Sequence, residues 1–514
     1  MIENSEAASA YSSANIRSAM GHFLSGKLAS AAGGFVFQIL IAREMATDAY
    51  AVYAVMFGLI NILGMLSGFG MQSVTQRFIP EVRTRGQGGF LAVFTSSLVV
   101  FRVFVLGLFC LLLYSYADLF ASFFGLSARL EEVRLWMPVA ALNVLFFYLN
   151  ILLESFVMQR VTKWFFVILM LTRLILIAVY ALVPSDGLTL MELVWIEIAA
   201  FGLCASLSLA VIIKIVVSLI KESNATEDVT NVKKRVGSFA LFNYMQQIVI
   251  MLNSQGTNRL IAGKFLSSFD VATFGFAAQL NDIFLRYLPS MVFRNLLNPA
   301  LMARYAEDGD SRRLNTLVNI IYKMNFFVLA PAFIFIAVAG NDFMALLSKG
   351  KYSDSDWLLF VMLIMLVVRS NNIMLETHAN ASEKNQYLFK SALVNAVFFI
   401  PTLFAVQVFG AFGLLLLRLV GMLIRDIYFA KKLCKEGIKY KFDIVGTFKI
   451  AGISTFIALI LKLLYITGSG MIALVIFFLL SLFLFLVITL FIKPFTDIER
   501  KTINNLIGQN VFIW

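Results

Sequence analysis

The chain has 514 residues, 60% of them hydrophobic and 14% charged, with a mean hydropathy of +0.86, a balance far from that of a soluble globular protein. Apolar windows of about twenty residues recur along nearly the whole length, which excludes a sizeable soluble catalytic domain and implies an all-α polytopic membrane protein. The formal charge of +12 would suit nucleic acid in a soluble chain, but here Lys and Arg concentrate in alternate loops between apolar windows, so no nucleic-acid partner is expected.

The first sixteen residues, MIENSEAASAYSSANI, are polar and lack the apolar core of a signal peptide; they are expected to form a short cytoplasmic tail. About 14 transmembrane helices follow, at 20–42, 50–73, 89–113, 134–156, 164–183, 191–219, 238–262, 271–300, 317–340, 356–377, 388–407, 410–430, 446–466 and 471–492. An even number of spans puts both termini on one side. Counted from that side, alternate loops carry Arg77, Arg83 and Arg85, then Arg160 and Lys163, then Lys233, Lys234 and Arg235, and later Lys431, Lys432 and Lys435. The opposite loops hold only Arg43, Arg129, Arg134, Lys264, Lys349 and Lys351. The positive-inside rule therefore predicts a multi-pass protein of the cytoplasmic (inner) membrane with both termini cytoplasmic.

The stretch 220–236 (IKESNATEDVTNVKKRV) reads as a cytoplasmic linker between two lobes of six spans each, an N-lobe at 1–219 and a C-lobe at 237–445. Residues 446–492 form an extra helix pair, and 493–514 a cytoplasmic tail. The lobes are expected to be pseudo-symmetric: Leu40-Ile41-Ala42 recurs as Leu260-Ile261-Ala262, and Tyr53-Ala54 is matched by Phe274-Gly275 about ten residues on. Such parallel repeats bind substrate between them.

The seventh span carries a polar stripe. At 100° per residue, Asn243, Gln246, Gln247, Asn253, Ser254, Thr257 and Asn258 fall within an arc of about 140°, and in hydrocarbon such a face needs other polar groups or a wet cavity. Similar alignments place Lys27 with Gln38 in the first span, and Asn61 with Gly64, Gly68, Gln72 and Thr75 in the second. In the eighth span Asp282 and Arg286 stand at i, i+4, the spacing of an ion pair. Arg369 and Glu376 align in the tenth span, and Arg418 and Arg425 in the twelfth. Arg173, Arg294, Lys323 and Arg425, near span ends, are expected to snorkel to headgroups. The predicted substrate cavity is thus lined by Lys27, Gln38, Asn61, Gln72, Asn243, Gln246, Gln247, Asn253, Asn258, Asp282, Arg286, Arg369, Glu376 and Arg418.

No P-loop, GxSxG, dinucleotide fingerprint or His/Cys ligand spacing is present, so neither catalysis nor a metal or cofactor is expected. The sequence leaves coupling to a proton or sodium gradient open. Ala49-Tyr50-Ala51-Val52-Tyr53-Ala54, Gly68-Phe69-Gly70, Arg77-Phe78-Ile79-Pro80-Glu81 and Phe409-Gly410-Ala411-Phe412-Gly413, with the fourteen-span layout, make the chain resemble the polysaccharide flippases of the MOP (multidrug/oligosaccharidyl-lipid/polysaccharide) exporter superfamily. The resemblance implies two six-helix lobes around a central cavity that moves a polyprenyl-pyrophosphate-linked oligosaccharide by alternating access. It also implies that the pair 446–492 serves the lipid tail, as in the related lipid II flippases, and that partners include membrane lipids and polysaccharide polymerase machinery. The alternatives are a multidrug/cation antiporter of the same superfamily, which usually has twelve spans and an acid in the first or seventh, and a membrane-embedded glycosyltransferase or polymerase, for which the outer loops are short.

Overall fold

The computed structural model describes residues 13–84, 88–182, 187–221, 230–286, 288–291, 311–381, 385–435, 442–464, 470–507 and 512–514. Among them every regular element is a helix and none is a strand. In hydrocarbon only a helix or a closed barrel satisfies its own backbone, so apolar runs of this length fold no other way.

The first compact unit comprises residues 1–264. It contains α1 (Ser13–Glu44), α2 (Thr47–Leu66), α3 (Met71–Thr84), α4 (Gly88–Ser115), the short α5 (Ala117–Phe123), α6 (Leu130–Ser155), α7 (Gln159–Leu182), α8 (Leu190–Lys221), α9 (Thr230–Met251) and most of α10 (Gln255–Phe265). Trp136 and Tyr53 meet edge to face at 5.7 Å at its centre, and both are almost wholly buried. The second unit, 265–514, contains α11 (Ser268–Arg286), α12 (Ser311–Ser348), α13 (Asp356–Ala381), α14 (Asn385–Ala396), α15 (Phe399–Lys435), α16 (Ile444–Leu464), α17 (Met471–Ile492) and α18 (Asp497–Ile507). The seventh apolar stretch packs with the first unit, so the compact units divide some thirty residues beyond the linker at 220–236.

Ten of these helical stretches are long and apolar enough to cross a membrane. One of them, 386–435, holds the expected eleventh and twelfth spans, because the chain reverses at Gly410 (φ 59°, ψ −145°), a conformation that glycine reaches without Cβ strain. The first expected span falls on α1, the seventh is broken into α9 and α10, and the eighth begins as α11 and continues outside the described residues. The second span is also broken, into α2 and α3. The two halves keep register in their elements: α2 and α11 begin at Thr47 and Ser268, and a short 3-10 turn precedes both α6 (Ser127–Arg129) and α13 (Ser353–Ser355).

Charges expected to snorkel are instead buried in ion pairs. Arg173 is 8% exposed, bonds Glu197 at 2.5 Å, and is flanked by the ring faces of Phe37 and Phe201. Arg425 reaches Glu376 on α13 at 3.0 Å. Lys323 is fully buried between Asp443 (2.6 Å) and Glu499. In each case the partner is an acid on another helix, which helical phase within one span cannot reveal. Arg294 lies outside the described residues.

The extra pair packs on α12. Ile450, Ile453, Ile457 and Leu461 of α16 and Phe485 of α17 bury against Ile320, Phe327, Ala330 and Ile334. Their outer faces, including Leu463, Ile472 and Phe483, remain exposed, as suits lipid contact.

A candidate substrate path built on two broken helices

The break in the second span is made by Ser67-Gly68-Phe69-Gly70. Phe69 and Gly70 take left-handed conformations (φ 44° and 71°), so α2 ends and α3 starts afresh. Phe69 is held there by stacking on Tyr244 at 4.5 Å and by the edge of Phe101 at 5.9 Å. Ending a helix in hydrocarbon orphans its last carbonyls. Arg102 of α4 supplies the donors: its guanidinium bonds the Ser67 carbonyl and, at 3.3 Å, that of Gly64, while lying 5.3 Å over the Tyr148 ring.

The seventh span breaks at Leu252–Ser254. Ser254 Oγ accepts from the Thr257 amide at 3.2 Å, an N-cap for α10, and Thr257 Oγ1 donates back to the Met251 carbonyl at 2.5 Å. The polar stripe expected along one continuous helix is therefore divided. Asn243, Gln246 and Gln247 lie half-buried on α9, Asn253 sits in the turn, and Thr257 and Asn258 are buried on α10. The side-chain oxygen and nitrogen of Asn253 are both buried without a hydrogen-bond partner among the described residues.

The two broken spans touch backbone to backbone through glycine. A Cβ at Gly256 would lie 2.8 Å from the Gly58 carbonyl oxygen, and one at Gly70 would lie 2.2 Å from that of Ala240. Unwound helices whose polar groups face a cavity are the common construction of transporter binding sites.

The other expected cavity residues fall as follows. Gln38 donates to Tyr53 Oη at 2.9 Å, joining the first and second spans. Asn61 donates back to the Phe57 carbonyl at 3.0 Å beside Gly256, and Gln72 is exposed on α3. The face expected to run from Asn61 to Gln72 is interrupted at the 67–70 turn. Lys27 lies on α1, and its side chain is outside the described residues.

In the second unit Asp282 is half-buried, while Arg286, the last residue of α11, is exposed. No ion pair between the two is found among the described residues. Arg369 is half-buried on α13, and Glu376, two turns along the same face, pairs with Arg425. Beside that pair Asp426 is 5% exposed and accepts from Asn371 and Asn372, each at 2.8 Å. Arg418 is 2% exposed, and none of its guanidinium nitrogens has a hydrogen-bond partner among the described residues. The Phe399 ring centroid lies 5.8 Å from its guanidinium carbon. A buried guanidinium without an acceptor is costly, so its retention needs a reason.

The sequence reading missed the roles of Arg102 and Glu197 and the amide cage around Asp426. Arg102 could have been found from the glycines at 64, 68 and 70, which mark a helix end needing donors. Glu197 carries no local signal, since its partner is 24 residues away.

No family model matches the chain, and no curated protein sequence matches it. Solved structures do share its fold. The lipid II flippase MurJ in an inward closed conformation superposes with a TM-score of 0.69 at 13% identity, over 91% of this chain and 98% of its own. An inward-facing multidrug resistance MATE family transporter of the MOP superfamily gives 0.65 at 11% identity, over 82% of this chain and 100% of its own. The MATE multidrug transporter DinF-BH gives 0.57 at 14% identity, over 84% and 97%. The chain thus has the fold of these transporters.

Proposed function

We propose that the chain is a transporter of the MOP exporter superfamily that moves a polyprenyl-pyrophosphate-linked oligosaccharide across the cytoplasmic membrane by alternating access between a 1–219 lobe and a 237–445 lobe. The observation that carries this reading is the uncommitted charge of Arg418. Most intramembrane cations of the described chain are taken up by carboxylates or carbonyls, whereas Arg418 has no such partner among the described residues. A diphosphate crossing a bilayer must keep its charge paired, and a guanidinium offers charge-assisted, bidentate hydrogen bonds. Lys27, Arg286 and Arg369 are assigned to the same anion. The amides Asn61, Gln247 and Asn253 suit sugar hydroxyls.

The fold comparison supports the flippase reading over the multidrug one. The flippase structure accounts for 91% of this chain, whereas a multidrug transporter matched over its whole length accounts for 82%. The difference is in keeping with the pair α16–α17, which we assign to the polyprenyl tail. Asp426, a caged and buried carboxylate, is the group we assign to coupling with a proton or sodium gradient. Polysaccharide polymerase machinery is the partner this role implies.

The test is translocation in proteoliposomes. A polyprenyl-pyrophosphate oligosaccharide loaded in one leaflet should become accessible to an external glycosidase with the wild type and not with Arg418→Gln at matched protein levels. Gradient dependence should vanish in Asp426→Asn. Transport of a cationic dye without movement of the lipid-linked sugar would replace this reading by the antiporter one.

A further inference from the structure

The C-terminal segment builds a second polar site, separate from the helices above. α17 ends at Ile492, and Lys493 turns the chain in a left-handed conformation (φ 48°), its amide bonded to the Thr489 carbonyl at 3.0 Å. α18 then opens with a capping box: Thr496 N donates to Glu499 Oε2 at 2.8 Å, and Glu499 N donates back to Thr496 Oγ1 at 3.4 Å. The same Glu499 is bound by the buried Lys323, which fastens α18 to α12.

The last residues fold back over α18. Asn504 clamps Phe512 from both sides (2.8 and 3.0 Å), Arg500 Nη1 donates to the Ile513 carbonyl at 3.3 Å, and Trp514 Nε1 donates to the Leu486 carbonyl at 3.1 Å. Between this wall and the end of α17 lies an open pocket of about 540 Å³, lined by Lys493, Arg500, Lys501 and Asp497 together with Leu490 and Phe512.

Its charge is unbalanced. Asp497 is the one acid among the described lining residues, and it is committed to Arg500. Lys493 and Lys501 are exposed and form no ion pair among the described residues, and Arg500 Nε is buried without an acceptor there. Lys449 adds a further cation, bonded to the carbonyls of Ile492 and Lys493 at 3.3 Å each. Phe491 and Ile498, each next in sequence to a lining residue, are apolar and bare, 81% and 70% exposed.

We propose that this cavity binds the phosphate of an anionic phospholipid, with Lys493, Arg500 and Lys501 as ligands and the acyl chains lying over Phe491 and Ile498. The site starts at the first residue after an apolar span, which is headgroup depth. A free phosphate would use the cations but gain nothing from the exposed Phe491 and Ile498, whereas a lipid uses both. By tying α18 to a headgroup, and through Glu499 to Lys323, the lipid fixes the extra helix pair against α12.

The experiment is native mass spectrometry of the full-length protein released from detergent with phosphatidylglycerol, cardiolipin or phosphatidylcholine. The wild type should retain the two anionic lipids and not phosphatidylcholine, with millimolar inorganic phosphate leaving retention unchanged. Each cation removed should weaken binding about fivefold, the ~1 kcal/mol of a basic residue at an anionic surface. Lys493→Gln with Lys501→Gln, which breaks no hydrogen bond of the described fold, should therefore bind about 25-fold more weakly, and adding Arg500→Gln should bring the loss to about 125-fold. Lys493→Arg with Lys501→Arg should bind as the wild type does. Undiminished retention in the double variant overturns the proposal. So does an equal loss on neutralising Lys431, Lys432 and Lys435 at the end of α15, which would mean that net charge alone attracts the lipid. Displacement by inorganic phosphate would overturn it too, and assign the cavity to free phosphate.

Discussion

Arg418 and Lys323 are both cations buried among apolar helices, yet they are held in opposite ways. Lys323 has two carboxylates within bonding distance, on the loop before α16 and on α18, so removing it strands buried negative charge. Lys323→Met is expected to destabilise the protein by about 3–5 kcal/mol, with most of the loss recovered when Asp443→Asn and Glu499→Gln are added; thermal unfolding in detergent would measure both. Arg418 strands nothing when removed. Because an unpaired arginine at mid-membrane costs about 2.5–3.5 kcal/mol, Arg418→Met should raise the melting temperature while abolishing translocation, and a lowered one would show a hidden structural partner.

Asp443 adds a pH dependence at the same scale. Burial pushes its carboxyl up, but the hydrogen bond from Lys323, the Gly446 amide and the nearby charges of Lys323 and Lys449 outweigh that and hold it below its ordinary 3.8. A carboxylate with a depressed folded value contributes stability that is full above the unfolded value and is lost as pH falls through the folded one. Hydrogen exchange in 497–504 should therefore be slow and unchanging from pH 7 to about 4 and accelerate below it, after correction for intrinsic exchange.

At the scale of elements, the breaks in the second and seventh spans depend on few atoms. Gly70 combines a left-handed backbone with a Cβ position 2.2 Å from the Ala240 carbonyl oxygen. Gly70→Ala is expected to cost about 2–5 kcal/mol, from backbone strain and overpacking together, and to part α3 from α9. Chemical crosslinking between cysteines at Phe78 and Phe239, whose rings meet at 5.7 Å, would report that separation. The extra pair is joined to α12 by apolar packing and by the Lys323 cluster. Deleting 443–514 alone should destabilise the remainder, whereas the same deletion with Lys323→Met should leave a folded core, since lipid can replace the lost apolar contacts but not the lost carboxylates. On the proposed function that core flips long-chain substrates poorly; normal flipping would remove the lipid-tail role of α16–α17.

For the whole molecule, the distribution of Lys and Arg predicts cytoplasmic termini and a cytoplasmic 220–236 segment. A single cysteine at Thr226 should stay unlabelled by an impermeant maleimide added to intact cells and react after permeabilisation. Rapid labelling before permeabilisation would invert the orientation.

Composition and hydropathy determined the membrane class, the all-helical fold and the placing of most spans, because a bilayer admits few ways to satisfy a backbone and a long apolar run declares itself. The glycines of 68–70 and the polar residues 253–258 were legible as unusual, and both fall where helices break. Helical phase could not show the breaks, since it presumes the continuity that Phe69 and Ser254 interrupt. Tertiary structure alone decided the fate of the charges. Arg173, Lys323 and Arg425 looked like snorkelling side chains, but each finds a carboxylate on another helix, and Asp282 and Arg286, well spaced for a pair, form none among the described residues. The energy of an ionised group in hydrocarbon depends on its nearest partners in space, and those partners lie from 24 to 176 residues away along the chain.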